Sequence, residues 1–230
     1  LPDDGKVCSF DCIYCECGWG EKREKVRFND RETVRRELER KLTEMVEAGT
    51  PPNVITFAGN GEPTLHPDFG EIIEDTIALR DRIAPRAKVS VLSNATQIGR
   101  ERVRAALLRV DNNILKLDSA FDRTVRLVDR PRGNYSVAET VENMKKFEGQ
   151  LIVQTMFLRG EFDGKIVDNT TEEEVSAWLA LIREIAPRQV MVYTIDRSTP
   201  AENLQKVTVE ELKAIAARVE ALGITCSVAG

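Results

Sequence analysis

The sequence has a single histidine and no apolar run near the roughly 18 residues that a membrane span needs. It opens with no charged, then apolar, then small-residue leader, so the chain is expected to be cytoplasmic and to meet no membrane. No Pro/Gly/Ser-rich linker or shift in composition divides it, and residues 1–230 are expected to form one domain. Basic residues are not in excess: 33 Lys and Arg against 38 Asp and Glu leave a formal charge of −5, which excludes a surface-wide nucleic-acid footprint and leaves only a local patch as an option. Five cysteines are too few for a disulfide scaffold. Four of them, Cys8, Cys12, Cys15 and Cys17, crowd into ten positions, while Cys226 stands near the end. In a cytoplasmic chain such crowding points to a metal or an iron–sulfur cluster before disulfides.

What is present is a regular alternation of β-branched runs and amphipathic helical patterns, the mark of βα units around a parallel sheet. Strands are expected over 54–58, 88–93, 113–118, 151–158, 189–195 and 224–228, with the end of an earlier one within 1–7. The helices carry their own punctuation. Asn29 with Glu32 reads as a capping box ahead of Val34, Leu38, Leu42, Met45 and Val46, and Gly49 and Pro51 end that helix. A second follows Pro67, with Phe69, Ile72, Ile73, Thr76 and Ile77 inward, and a shorter one starts near Gly99. Ser136 with Glu139, Thr171 with Glu174 and Thr208 with Glu211 open three more. A full eight-unit barrel takes about 250 residues, so this length suits about six units: an α/β fold built as a partial (β/α)6 TIM-like barrel with a parallel sheet. In such a fold the chemistry sits at the carboxyl ends of the strands. Leu1 starts abruptly ahead of the cysteine loop, so an N-terminal segment is expected to be missing.

Cys8, Cys12 and Cys15 stand as CxxxCxxC in CSFDCIYC. Three thiolates at short, unequal spacings on one loop can ligate three irons of a cubane cluster and leave the fourth open to a small molecule. Two other readings stay open: a zinc site completed by Cys17 or a distant residue, and unliganded buried cysteines.

This spacing, with Tyr14 directly before the third cysteine, resembles the signature of the radical S-adenosylmethionine superfamily. The resemblance implies a [4Fe–4S] cluster whose open iron chelates the methionine end of S-adenosylmethionine, and an electron that cleaves the sulfonium to a 5′-deoxyadenosyl radical, which abstracts hydrogen from substrate. The protein's part is to orient the cofactor and hold the substrate against the radical carbon.

Further motifs fall at successive strand ends. In FAGNGEP, Gly59 and Gly61 let the main chain approach a charged ligand closely and Glu62 adds a negative charge; a lone GxGE, however, is better read as a strand-to-helix turn with a solvated Glu. It is similar to the superfamily's GGEP element, with Asn60 in place of the second glycine, which assigns Gly59, Gly61 and Glu62 to the methionine end. Ser93-Asn94-Ala95-Thr96 is similar to the SNGT-type turn near the cofactor ribose and carboxylate. Asp118 and Ser119 in KLDS are expected to meet ribose or carboxylate, the alternative being a Lys116–Asp118 pair at the barrel mouth. Gln154 is a further candidate contact, and Tyr193 is either a contact or part of the barrel interior. The order of these motifs resembles a branch related to tRNA wyosine-type synthases, often described only as Fe–S oxidoreductases.

The expected function is thus a radical S-adenosylmethionine enzyme acting on an unidentified tRNA base, peptide or protein, or small metabolite, with a reducing partner of flavodoxin or ferredoxin type. Two rivals come from other classes: an iron–sulfur electron-transfer protein whose cluster takes Cys17 as fourth ligand, and a zinc-stabilised binding module. His66, beside Pro67, reads as a capping or solvated residue, and Trp19 as a shield for the cluster. Lys22, Arg23, Lys25 and Arg27, then Arg123, Arg126, Arg130 and Arg132, are the basic groups near the expected site, and neighbouring acids nearly cancel them.

Overall fold

The computed structural model describes residues 5–20 and 27–229. Six strands run parallel in one sheet: β1 (Val54–Phe57), β2 (Lys88–Ser93), β3 (Asn112–Lys116), β4 (Ile152–Met156), β7 (Gln189–Tyr193) and β9 (Thr225–Ala229). They lie side by side in chain order, with no reversal. That progression is the winding of a barrel rather than of a doubly wound sheet. β1 and β9 do not pair, so the barrel stays open.

Helices α1 (Arg31–Glu47), α2 (Phe69–Ile83), α3 (Glu101–Leu107), α5 (Val137–Lys145), α6 (Glu172–Ile185) and α7 (Val209–Glu220) occupy the expected stretches. The hydroxyls of Ser136 and Thr171 accept the backbone N–H three residues on, and Thr208 with Glu211 forms a complete capping box. At α1 the cap is Asp30, whose carboxylate accepts the Thr33 N–H, so the expected Asn29/Glu32 box is displaced by one residue. The Asn29 carbonyl instead lies 2.8 Å from His66 Nε2, while His66 Nδ1 accepts the Asp68 N–H. His66 is therefore a buried local brace. Of the expected inward face of α1 only Leu42 is fully buried, because this helix lies outside the barrel against α2, where Leu42 meets Leu79, Ala84 and Ala87.

The principal core lies between the sheet and α2, α3, α5, α6 and α7, around Leu115, Met144, Val153, Trp178 and Val190. Trp178 of α6 packs edge-on against Phe157 and donates its indole N–H toward the Leu117 carbonyl and Thr155 Oγ1.

Three features depart from the expected pattern. The run 151–158 divides: β4 ends at Met156, the Phe157 N–H reaches the Tyr193 carbonyl, and Leu158 starts another sheet. That sheet is antiparallel, with β5 (Leu158–Phe162) between β6 (Lys165–Asp168) and β8 (Leu204–Lys206). Its hairpin turns on Asp163 and Gly164, both at positive φ (+54° and +69°), as a two-residue type I′ loop requires. A short helix, α4 (Asp122–Val128), follows β3 with no side-chain cap at its start. Of the early strand expected within 1–7, residues 1–4 lie outside the described ones, and Val7 forms a single parallel bridge with Gly61. Among the described residues no helix is long and apolar enough to cross a membrane.

Candidate functional site

The cysteine loop is laid across the sheet's carboxyl end by backbone hydrogen bonds. The Val7 N–H reaches the Asn60 carbonyl and the Glu62 N–H the Val7 carbonyl, at 2.9 and 2.8 Å. Farther along, the Asp11, Ile13 and Arg132 N–H groups bond to the Asp129, Val128 and Ser9 carbonyls, and the Ala201 N–H to that of Ile13. Phe10 and Ile13 are fully buried beneath the loop with Met156 and Leu158. The loop is therefore pinned at both strand tips and at the end of α4, which fixes where its sulfurs point.

Cys8, Cys12 and Cys15 line one cavity of about 250 Å³ together with Gly59, Gly61, Glu62, Asn94 and Gln154. Lys6, Lys116, Met156 and Tyr193 complete its wall, and Cys17 reaches it from an exposed position. A roomier cavity of about 650 Å³ lies elsewhere, between α4, the β5–β6 hairpin and the start of α6, and contains none of the cysteines. Size does not decide between them; the convergence of thiols and polar side chains favours the smaller one.

Each sulfur has a distinct setting. Cys8 Sγ accepts the Phe10 N–H at 3.4 Å and the Asn94 Nδ2–H at 3.5 Å. The Cys12 thiol is buried and donates to Asp129 Oδ1 at 3.4 Å. Burial pushes the Cys8 thiol up to about 11 and the Cys12 thiol well above its usual range. The Lys6 ammonium donates to the Gly18 carbonyl. Burial opposes its charge, but the neighbouring Cys15, Cys8 and Cys12 sulfurs outweigh that, and its pKa is raised.

Glu62 is buried and spoken for. Oε1 accepts from the Thr64 N–H, the Thr64 hydroxyl and the Ser93 hydroxyl, and Oε2 from the Asn94 N–H at 2.6 Å. It ties the β1 loop to the tip of β2, and Oε2 keeps lone-pair capacity for one more donor. Burial still raises its pKa against these bonds. Asn94 bonds Ser9 Oγ as well as Cys8, so it braces the cysteine loop. Asn60 stands at φ +45°, a region that Asn enters more easily than other residues with a Cβ, which accounts for its place among the glycines.

Asp118 and Ser119 are not part of the cavity lining. Asp118 accepts from the Tyr14 hydroxyl, from Lys116 Nζ at 3.3 Å and from the Met156 N–H at 2.9 Å. The Ser119 hydroxyl turns to the other side, donating to Glu174 and accepting the Phe121 N–H. As placed, Asp118 serves Tyr14, Lys116 and Met156, and Ser119 serves Glu174 and Phe121, so each has a structural role beside the cavity rather than a place in its lining. Glu174 is drawn inward by Ser119 and Thr124, so Thr171 has no reciprocal capping partner.

The sequence reading missed the charged floor under the sulfurs. Lys116 Nζ lies 2.5 Å from Tyr14 Oη and 4.8 Å from the centre of its ring. Asp129 Oδ1 is 3.1 Å from the same hydroxyl. Burial disfavours the Lys116 ammonium, yet Asp118, Tyr193 and Asp129 hold its pKa well above the ordinary value. Burial, aided by the charge on Asp118, pushes Asp129 well up, and burial moves Tyr193 up to about 12. Strand alternation puts Lys116 and Asp118 on one face, and the partners that meet them there, Tyr14 and Asp129, come from distant segments that leave no local signal.

Comparison with known proteins agrees with this geometry. The pattern of the radical SAM superfamily matches residues 4–170. A UPF0026 protein of Synechocystis sp. is 30% identical over 202 residues, covering 85% of this chain and 69% of that protein. A protein named GTPase Obg from Brachyspira hyodysenteriae is 27% identical over 212 residues, and there the chain spans 90% of its own length but only 29% of the relative's. Among solved structures, a radical SAM methyltransferase from Sphaerobacter thermophilus superposes with a TM-score of 0.71 at 15% identity, over 96% of this chain and 63% of the other; that likeness shows the fold. With three thiols gathered at the tips of an open parallel barrel and the family pattern running through them, the chain belongs to the radical SAM superfamily, whose members are enzymes that use a [4Fe–4S] cluster and S-adenosylmethionine.

Proposed function

We propose that residues 1–230 act as a radical SAM core domain in which Cys8, Cys12 and Cys15 hold three irons of a [4Fe–4S] cluster and the same cavity receives S-adenosylmethionine. The observation that carries this reading is that three cysteines from one loop and Gly59, Gly61, Glu62, Asn94 and Gln154 from three strand ends line a single cavity. The donor set suits a cluster: three thiols from one loop line the cavity, which supplies ligands for three irons of a cubane and leaves the fourth iron to the cofactor.

When bound, the cluster and S-adenosylmethionine supply a 5′-deoxyadenosyl radical by one-electron cleavage of the sulfonium. The chain's residues prepare the site for it. The Phe10 N–H and Asn94 amide donate to Cys8 Sγ, and Lys6 sets a positive charge beside thiolates that loading must create. Phe10 and Met156, both buried, add apolar surface to the cavity wall. The bare main chain at Gly59 and Gly61 and the free lone pair on Glu62 Oε2 suit an ammonium-bearing methionine end. Gln154, Lys116 and Tyr193 present polar groups on the opposite wall, where substrate or the rest of the cofactor is oriented. The substrate is a tRNA base, a peptide or protein, or a small metabolite, and the electron comes from a flavodoxin- or ferredoxin-type partner in the cytoplasm.

The test is anaerobic reconstitution. The loaded protein should give a reduced-cluster EPR signal perturbed by S-adenosylmethionine, and dithionite should yield 5′-deoxyadenosine; absence of both in a well-loaded sample refutes the proposal. Because Cys17 reaches the same cavity, a second reading is an electron-transfer protein with Cys17 as fourth ligand. Cys17→Ala separates the two: it should leave the cluster and cofactor cleavage intact under the first and bleach the cluster under the second, while Cys12→Ala abolishes it in either.

A further inference from the structure

We propose that the outer surface formed by Arg126, Arg130 and Arg132 is the docking site of an acidic iron–sulfur protein that delivers the electron, an inference that rests on the cluster reading above. Its position comes first. The segment 128–132 is hydrogen-bonded along the cysteine loop through Asp11, Ile13 and Ser9, and Cys12 Sγ touches the Asp129 carboxylate at 3.4 Å. Arg130 is the next residue. A groove of about 380 Å³ lined by Asp11, Arg126, Arg130, Pro131 and Arg132 opens here, and it shares no residue with the cavity of the three thiols. A protein seated on it comes close to a cluster ligand without entering the space needed by cofactor and substrate.

The charge is also suited to such a partner. In a chain of net charge −5, three guanidinium groups meet one carboxylate in this groove. That carboxylate, Asp11, is already engaged by the Gly20 N–H, Lys6 and Arg132. Arg126 donates to the Tyr135 carbonyl, and Arg130 lies over the rings of Trp19 and Phe162, 5.0 Å from each centre. Neither has an ion-pair partner among the described residues. The protein also tolerates strain to keep Arg130 there: it ends α4 at φ +49°, with its N–H on the Val125 carbonyl, a position that glycine fills without cost. Trp19 is 40% exposed and its ring lies 5.8 Å from that of Phe162, tilted by 39°, so an apolar centre with a basic rim is presented, the make-up of a transient protein interface. One short groove of three arginines on a chain of net charge −5 favours a small acidic protein over RNA, whose backbone would call for a longer basic stripe.

The step itself is simple. One electron leaves the reduced donor cluster and enters the cluster held by this chain; the donor is oxidised by one equivalent, no bond forms or breaks, and no proton moves. The test uses a small acidic ferredoxin with the anaerobically loaded protein, its iron and sulfide content measured first. Calorimetry with oxidised ferredoxin should show an affinity that falls with added salt. Arg126→Glu, whose side chain reaches only the Tyr135 carbonyl, should weaken binding and slow ferredoxin-driven reduction by about tenfold or more at low salt, with the dithionite-driven rate unchanged. Arg130→Gly, which suits the left-handed backbone, should keep or raise the melting temperature while weakening ferredoxin binding. Affinity and rate within about twofold of the unmodified protein in both variants overturn the proposal. So does salt-sensitive binding of a mixed-sequence single-stranded RNA, lost in the variants, without ferredoxin binding. Failure to load any cluster defeats the functional reading instead, and ferredoxin binding by calorimetry still reports on the surface.

Discussion

The bridge between Val7 and Gly61 is the joint that holds the cysteine loop to the sheet, and Gly61→Ala tests it directly. A methyl group at residue 61 would lie 1.7 Å from the Val7 carbonyl oxygen and 2.3 Å from its carbon, backbone atoms that cannot swing aside as a side-chain tip would. Gly61 also sits at φ +125°, which side-chain-bearing residues avoid. The strain is about 1–3 kcal/mol. The two hydrogen bonds that Val7 makes across the joint are worth about 1 kcal/mol each. Together the variant destabilises the joint by about 3–5 kcal/mol, and at about 1.4 kcal/mol per decade the detached loop becomes about 10² to 4 × 10³ times more populated. The six parallel strands keep their own ladders, so the chain still folds. Gly59→Ala is the control: nothing lies within 4 Å of the added carbon, and only the strain of φ +83° remains, about 1–2 kcal/mol. Hydrogen exchange at the Val7 and Glu62 amides and iron and sulfide per chain after reconstitution are the readouts. Gly61→Ala should lose amide protection and most of its iron, and Gly59→Ala should keep most of both. Full iron loading with unchanged protection in Gly61→Ala would show that the joint does not position the loop.

Two further predictions concern residues outside the cavity. Ser119→Ala removes a buried hydroxyl that serves Glu174 and the Phe121 N–H, and should cost about 1–3 kcal/mol of stability in thermal or urea unfolding; calorimetry should show unchanged S-adenosylmethionine affinity, and a large loss of affinity at unchanged stability would restore the ribose role. Asp111 accepts the Val89 N–H and pairs with Arg80 and Lys88; burial opposes its charge, but these partners prevail and its pKa is lowered. With the folded pKa below the unfolded value, its contribution is present above about pH 4 and disappears as pH falls through the folded pKa. Asp111→Asn should therefore lose about 1–2 kcal/mol near neutrality, and its urea midpoint should converge with that of the unmodified protein in acid; a difference that persists there would contradict the assignment.

Much of the fold was legible because burial and helix capping are local or periodic. The apolar face of α6 and the capping box at Thr208 are each written within a few residues, and the inner strands β2, β3 and β4 read as apolar runs because both of their faces are covered. The antiparallel sheet was missed although Asp163-Gly164 is a strong two-residue hairpin signal; the run 151–158 read as one strand, and only the turn of the chain at Phe157 separates β4 from β5. α4 is short and lacks a side-chain cap, so neither length nor punctuation announced it.

The sequence by itself determined the βα rhythm, the three-cysteine loop and the motif at each strand tip, since these rest on spacing along the chain. Tertiary structure decided which of those tips face the sulfurs. Alternation along a strand limits a side chain to one of two faces, but what it meets there depends on partners distant in sequence. Tyr14 and Met156 draw Asp118 beneath the site, Glu174 draws Ser119 away from it, and Lys6 and Lys116 enter it from segments more than a hundred residues apart. Burial makes those choices binding, because each of these polar groups must find a partner once water is gone.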